Sequence, residues 1–450
     1  MKAVTSISIV RRCAKANNGT IRMKVLEWAR ISLLFVLVTF AWISSLLSCL
    51  ADESQPNRQD QSTGSISSVT AVAPRHALKS IPRNIEVYQY DINPLGDRQP
   101  LLLVHGLIGE FHSLGRWKEL AEYLNGDQAF QRRYKIYLIR YNSHAPLKEI
   151  TASFDVALRE LAPAGGLTVV AISMAGIIVR NAMTDPAVDQ CISRVITLGT
   201  FFRGSPLLCA DWMQQSIRKR HLSPLVRIDR SVGYKIYFGR HPNLLVDYGW
   251  DNVDGQRPAA RSPQNRAGLE VVPESRGQRP LADAQPQPGD RKIVAYAGYL
   301  HNQYYPHPHG AVHAFFFQPI VFFWTTVPAH VGREHPALRF LNQIIAEAVP
   351  GTANGSNILY PLNDGISPIS SSLLLPNDFV AHSDFSDKAV LDKIATHTYA
   401  KKARLFDNTD HLTFIEGHRL IRPVANIPDV LSANEKPRPM FAWILRDLLE

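Results

Sequence analysis

Hydrophobic positions along the chain fall into short, nearly unbroken runs. Ile85 to Tyr90, Pro100 to Val104, Tyr134 to Ile139, Leu167 to Ile172, Arg194 to Leu198 and Lys292 to Ala297 each have strand length. Several are apolar at consecutive rather than alternate positions, the pattern of strands covered on both faces. Stretches with helical spacing lie between them at about Arg116 to Leu124, Lys148 to Leu161 and Met174 to Met183. Strand, helix, strand in this order predicts an α/β fold, a mostly parallel sheet with helices on both faces. Such sheets carry their chemistry beyond the carboxyl ends of the strands, so reactive residues are expected at those junctions.

The chain opens on a different pattern. Seventeen residues without a charge, Ile31 to Leu47, follow a basic flank containing Lys24 and Arg30, the order of a secretory signal and marginally long enough to span a bilayer. Met23, just before Lys24, offers a second start with a shorter basic region. The run ends in Leu46-Leu47-Ser48-Cys49, which resembles the lipobox of bacterial lipoproteins. That resemblance implies a mature chain beginning at an acylated Cys49 and held to a membrane by lipid. An uncleaved single-pass anchor and an ordinary cleaved signal are the other readings, and all three export the rest of the chain. Residues 49–80, rich in Ser, Gln, Asn and Pro, read as a flexible tether after a signal or anchor at 1–48. The folded domain is expected over 81–450, with insertions at about 206–290 and 300–355.

At 450 residues, 45% hydrophobic and 20% charged, the chain is too apolar for a disordered one and long enough for a large α/β domain. The formal charge of +10 suggests nucleic acid until it is localised. Residues 1 to 48 hold seven Lys/Arg against one Glu, so the leader carries most of the surplus. The remainder is too thin for a phosphate-tracking stripe, and nucleic acid is excluded as a partner. Of the four cysteines, Cys13 and Cys49 lie in the leader. Cys191 and Cys209 flank an apparent strand and read as two buried thiols rather than a disulfide.

The sharpest junction is Leu167 to Arg180, LTVVAISMAGIIVR. An apolar strand ends at Ser173 and a helix starts at once, with small Ala171 and Ala175 two positions either side. A serine on so tight a turn is forced outward, and small neighbours let the turn approach adjacent strands. Here the chain resembles the α/β-hydrolase family, in particular its triacylglycerol lipase type. The family's elbow G-x-S-x-G corresponds to Ala171-Ile172-Ser173-Met174-Ala175. Its oxyanion loop matches Leu101-Leu102-Leu103-Val104-His105-Gly106-Leu107, and L-G-T-P-H-R-G-S corresponds to Leu198-Gly199-Thr200-Phe201-Phe202-Arg203-Gly204-Ser205. The acid segment N-D-G-x-V-P-x-x-S-S corresponds to Asn363 through Ser372, and a late D-H appears as Asp410-His411. The departures are alanines for both elbow glycines, which would be costly at positive φ, and Phe201-Phe202 for Pro-His.

The resemblance implies a serine hydrolase of carboxylic esters, lipase or esterase in type, working through an acyl-enzyme. Ser173 is then the nucleophile, His411 the base and later the acid, and Asp364 the orienting carboxylate, in the chain order Ser, Asp, His. The backbone N–H groups of Leu107 and Met174 would face the oxyanion. Asp407 and Asp410 are rival orienters of His411, and His105 reads as shaping the oxyanion loop rather than as catalytic. Acyl transfer to water needs no cofactor, and no calcium ligand set is identified. His301, His307, His309 and His313 form the densest histidine cluster, read as an aromatic-rich loop rather than a metal site.

Ser173 and Asp364 are 191 positions apart, more than two strands and two helices need. Asn252 to Asp290 reads as a long surface excursion or mobile loop. Ala314 to Trp324 is too aromatic to sit in water and reads as a lid, an acyl-pocket wall, a membrane contact or a buried cap helix. An apolar cover favours a hydrophobic acyl ester or lipid as substrate, with a membrane surface as partner through the N-terminal anchor. A lipid acyltransferase with the same triad and a non-catalytic binding protein of this fold are the alternatives.

Overall fold

The computed structural model describes residues 75–76, 85–107, 113–162, 165–208, 213, 237–249, 286–300, 341–342, 344–346, 362–376, 379, 388–415, 417, 420–421, 423–427 and 436–450. The chain divides into two units, Met1–Ser67 and Ser68–Glu450, and all the described residues lie in the second. The leader, Cys209, the histidine cluster and the aromatic segment Ala314 to Trp324 fall outside the described residues, as do most of Asn252 to Asp290 and all of the tether but Arg75 and His76, which form a short strand. No helix among the described residues is long and apolar enough to cross a membrane.

In chain order the elements are β1 (Arg75–His76), β2 (Ile85–Gln89), β3 (Gln99–Val104), α1 (Ser113–Asn125), α2 (Gln128–Arg133), β4 (Tyr134–Tyr141) and α3 (Leu147–Leu161). Next come β5 (Leu167–Ile172), α4 (Met174–Ala182), α5 (Pro186–Cys191), β6 (Ile192–Leu198), α6 (Pro242–Tyr248), β7 (Ile293–Tyr299) and α7 (Ile369–Ser372). The chain closes with α8 (Lys388–His397), β8 (Lys402–Asp407), β9 (Leu420–Ile421), β10 (Pro423–Ile427), β11 (Arg438–Pro439) and α9 (Met440–Leu449). All six strands and three helices read from the sequence are present.

Nine strands form one sheet in the order β1-β2-β4-β3-β5-β6-β7-β8-β10. From β4 to β8 every pairing is parallel, whereas β1, β2 and β10 join antiparallel at the two edges. Because side chains alternate across a strand, Leu101 and Leu103 enter one core with α1, α2 and α9, while Leu102 and Val104 enter the other with α3 and α4. Both faces are thereby covered, which is why the central strands are apolar at every position. This is the architecture that the α/β-hydrolase resemblance implies.

Two buried ion pairs pin helices to the sheet. Arg404 of β8 binds Asp447 of α9 through two N–H donors, each 2.6 Å from a carboxylate oxygen, and the Tyr296 hydroxyl donates to the same carboxylate. Arg180 of α4 makes the same kind of fork to Asp290, at 2.7 and 2.9 Å. Asp290 is buried. The reading of Asn252 to Asp290 as a surface excursion is thus corrected at its last residue, where a carboxylate buried against Arg180 gains more than a solvated one. Cys191 is a free buried thiol, and its Sγ faces the Ala187 carbonyl at 3.2 Å.

One carboxylate works against the fold. Asp155 on α3 has a buried Oδ1 without a hydrogen-bond partner. Burial first, and repulsion from Asp185 second, raise its carboxyl to about 6, with Arg159 opposing. A carboxyl whose folded value exceeds its unfolded value binds protons more tightly when folded, so stability falls as pH rises from about 4 to about 6. Asp155→Asn is expected to stabilise the protein by about 1 to 3 kcal/mol above that window, and by nothing below it. Thermal midpoints of both proteins at about pH 7.5 and about pH 3.5 check this. A gain equal at the two values would mean that ionisation is not its source.

Candidate active site

The sequence after β5 leaves its strand abruptly. Ser173 takes φ 60° and ψ −131°, and α4 begins at the next residue. Its N–H donates to the Leu198 carbonyl at the end of neighbouring β6, at 2.9 Å. Ala171 and Ala175 are not among the positive-φ residues, so the substitution of alanine for both elbow glycines carries no backbone cost. Their buried Cβ atoms need only the space that Ala allows. The Met174 N–H, first in α4, has no acceptor within its own helix. The positive end of that helix dipole lies beside Ser173.

Asp364 reaches the same rim although it lies 166 positions beyond Leu198, the last residue of β6. The Leu300 N–H, just past β7, donates to the Asn363 carbonyl at 3.0 Å, and the Asn342 side chain donates to that same carbonyl at 2.8 Å. The returning chain is also tied to the residues after β6. Ser205 donates its hydroxyl to the Ile366 carbonyl at 2.6 Å, and the Arg203 N–H donates to Ser371 Oγ at 2.9 Å. Asp364 Oδ1 accepts from the N–H groups of Ile366 and Ser367, at 2.9 and 2.6 Å. Its other oxygen, Oδ2, lies 2.8 Å from His411 Nδ1.

His411 follows β8 and is held twice by the same partner, since its N–H also donates to the Asp364 carbonyl at 2.9 Å. Both side chains are buried. Of the rival orienters, Asp410 turns to Thr413 instead, accepting from its N–H at 2.9 Å and its hydroxyl at 2.8 Å. That capping shapes the single turn Thr413–Ile415 just after His411. The carboxylate at hydrogen-bond distance from Nδ1 of the ring is that of Asp364.

Gly199 joins the two halves. It directly follows Leu198, whose carbonyl takes the Ser173 N–H, and it has φ 56°. A Cβ at this position would lie 2.7 Å from Asp364 Oδ2 and 2.9 Å from His411 Nδ1, so only glycine lets the pair sit against β6. Gly106 is as tight on the other side, where a Cβ would meet Ser173 Cβ at 2.9 Å. Leu107, next along, is partly buried against the core.

His105, Tyr141, Gly199 and Asn363 shape this site; from sequence His105 had a role, Gly199 and Asn363 stood in motifs without one, and nothing pointed to Tyr141. A glycine immediately after an apolar strand, as in Leu198-Gly199, is the local signal that could have given Gly199 its role. Among the described residues no group of His, Cys, Asp or Glu could hold a metal ion. Phe201 and Phe202, in place of Pro-His, are both buried, with Phe201 edge-on to Tyr248 at 6.3 Å.

No protein-family model and no curated protein matches the chain. Among solved structures, a Bacillus licheniformis lipase in mature form aligns at 16% identity over 75% of this chain and 95% of its own, with a TM-score of 0.37. A metagenomic carboxyl esterase aligns at 14% identity over 79% and 76%, with a TM-score of 0.35. A Bacillus subtilis carboxylesterase aligns at 13% identity over 52% and 77%, with a TM-score of 0.27. At these scores the superpositions carry no weight, and the architecture rests on the chain's own strand order and register.

Proposed function

We propose that this protein is a serine hydrolase of carboxylic esters with hydrophobic acyl groups, working through an acyl-enzyme. The observation that carries the reading is the buried His411–Asp364 pair at 2.8 Å, packed on the glycine that follows the acceptor of the Ser173 N–H. An ordinary serine hydroxyl is a poor nucleophile and needs a base that a third group orients. With Asp364 on Nδ1, Nε2 is the His411 nitrogen that takes the Ser173 proton and later returns it to the leaving alcohol. Water then attacks the acyl-enzyme, with His411 as base again. The N–H groups of Leu107 and Met174 hold the oxyanion in both steps, and neither step calls on a cofactor.

The preference for hydrophobic acyl groups draws on the aromatic stretch Ala314 to Trp324. The leader supports an exported enzyme anchored at a membrane surface, through lipid on Cys49 or through the apolar run itself. The test pairs turnover of p-nitrophenyl esters of short and long acyl chains with labelling by a fluorophosphonate. Turnover, and a single label mapped to Ser173 by mass spectrometry, are expected. Neither turnover nor label would overturn the reading. A label with discharge only to added alcohols would replace hydrolase by acyltransferase.

A further inference from the structure

The oxyanion loop contains a hydrogen-bond chain that neither the motif nor the triad accounts for. It starts on β4, the neighbour of β3 in the sheet. The Tyr141 N–H donates to His105 Nε2 at 3.2 Å, and a backbone N–H can only donate, so this ring nitrogen carries no proton. The proton of the neutral ring is then on Nδ1, which lies 2.8 Å from the Gly106 carbonyl and donates to it. Tyr141 also holds His105 in two other ways, at its backbone and at its ring. Its hydroxyl donates to the His105 carbonyl at 2.7 Å, and the two rings stack with centroids 4.1 Å apart and planes 14° off parallel.

The consequence lies one bond further on. In a trans peptide the C=O and the following N–H point in opposite directions. Holding the Gly106 carbonyl toward the His105 ring therefore turns the Leu107 N–H away from it. The peptide sits against the nucleophile, because the Cβ position of Gly106 lies 2.9 Å from Ser173 Cβ and 3.5 Å from its Oγ. We propose that Tyr141 and His105 are positioning residues that fix the Gly106–Leu107 peptide with its N–H toward the oxyanion. This rests on the serine hydrolase reading and adds to it the part that preorganises one donor before substrate arrives. Preorganisation matters because a donor that must rotate during the reaction loses most of its stabilising effect.

Two amide side chains separate the functions of the two ring nitrogens. In His105→Asn the amide nitrogen occupies the place of Nδ1 and can still donate to the Gly106 carbonyl. In His105→Gln the amide reaches only the place of Nε2 and can face Tyr141 alone. We expect the Asn variant to keep kcat within about tenfold of wild type, and the Gln variant to lose about 10²-fold, both with KM nearly unchanged. The rate of fluorophosphonate labelling is expected to follow kcat. Equal kcat for the two variants, or a loss carried by KM, would overturn the proposal, since a ring needed only for packing does not distinguish them. If neither variant folds, Tyr141→Phe decides. It keeps the stack and loses the hydroxyl, so a drop in kcat at an unchanged thermal midpoint supports positioning and an unchanged kcat overturns it. Wild-type protein that neither turns over esters nor takes the label removes the hydrolase reading instead, a result distinct from all of these.

Discussion

Replacing Ser173 with glycine is expected to abolish ester turnover and, at the same time, to make the protein more stable. The loss of rate should approach about 10⁶-fold, roughly what removal of a serine nucleophile costs when the remaining machinery cannot act without it. The gain in stability comes from the backbone. Ser173 is one of three positive-φ residues other than glycine among the described residues, and a side chain held in such a region costs about 1 to 3 kcal/mol. Glycine removes that cost and returns part of it, about 0.5 to 1 kcal/mol, through the greater freedom of its unfolded chain. Ser173→Ala serves as the partner experiment. It should lose the same rate and keep the strain, so the difference between the two thermal midpoints isolates the backbone contribution. A glycine variant less stable than the alanine variant would show that the turn is not strained.

The second large effect is expected from Asp364→Asn, about 10⁴-fold in kcat with the fold intact. The side-chain amide cannot choose its orientation here. Oδ1 faces two N–H donors, from Ile366 and Ser367, so an asparagine must place its oxygen there and its NH₂ against His411 Nδ1. The ring then accepts at Nδ1, carries its proton on Nε2, and meets the Ser173 hydroxyl as a donor, unable to take its proton. A fall in kcat at constant KM, with an unchanged circular dichroism spectrum, is the expected outcome. A rate within about tenfold of wild type would remove Asp364 from the mechanism.

The central sheet was legible because its strands are buried on both faces, and a continuous apolar run as short as Leu101 to Val104 suits a doubly covered strand better than an amphipathic helix. The edge was not. β8 reads Lys-Ala-Arg-Leu-Phe-Asp, a polar pattern that hides a strand in which Arg404 is buried, because its charge is met by Asp447 forty-three residues later. Helix α9 escaped the same way, its apolar stretch giving no sign of which part of the sheet it covers. At the site, the sharp turn at Ser173 was readable, since it is encoded within a few residues. What could not be read is every restraint crossing between strands. The hold of Asn363 on Leu300, the fit of Gly199 against the acid–base pair and the proton on His105 all depend on which strand ends are neighbours.

The junction of Leu300 with Asn363 also bears on how such a protein can diversify. The Leu300 N–H and the Asn342 side chain both donate to the Asn363 carbonyl, and the Asn363 side chain donates to the Asn342 carbonyl, so Asp364 is tied to the end of β7 by bonds that do not run through residues 301–340. On the proposed function, a cassette exchanged between residues 301 and 340 is expected to alter the choice of substrate while leaving the His411–Asp364 pair in place.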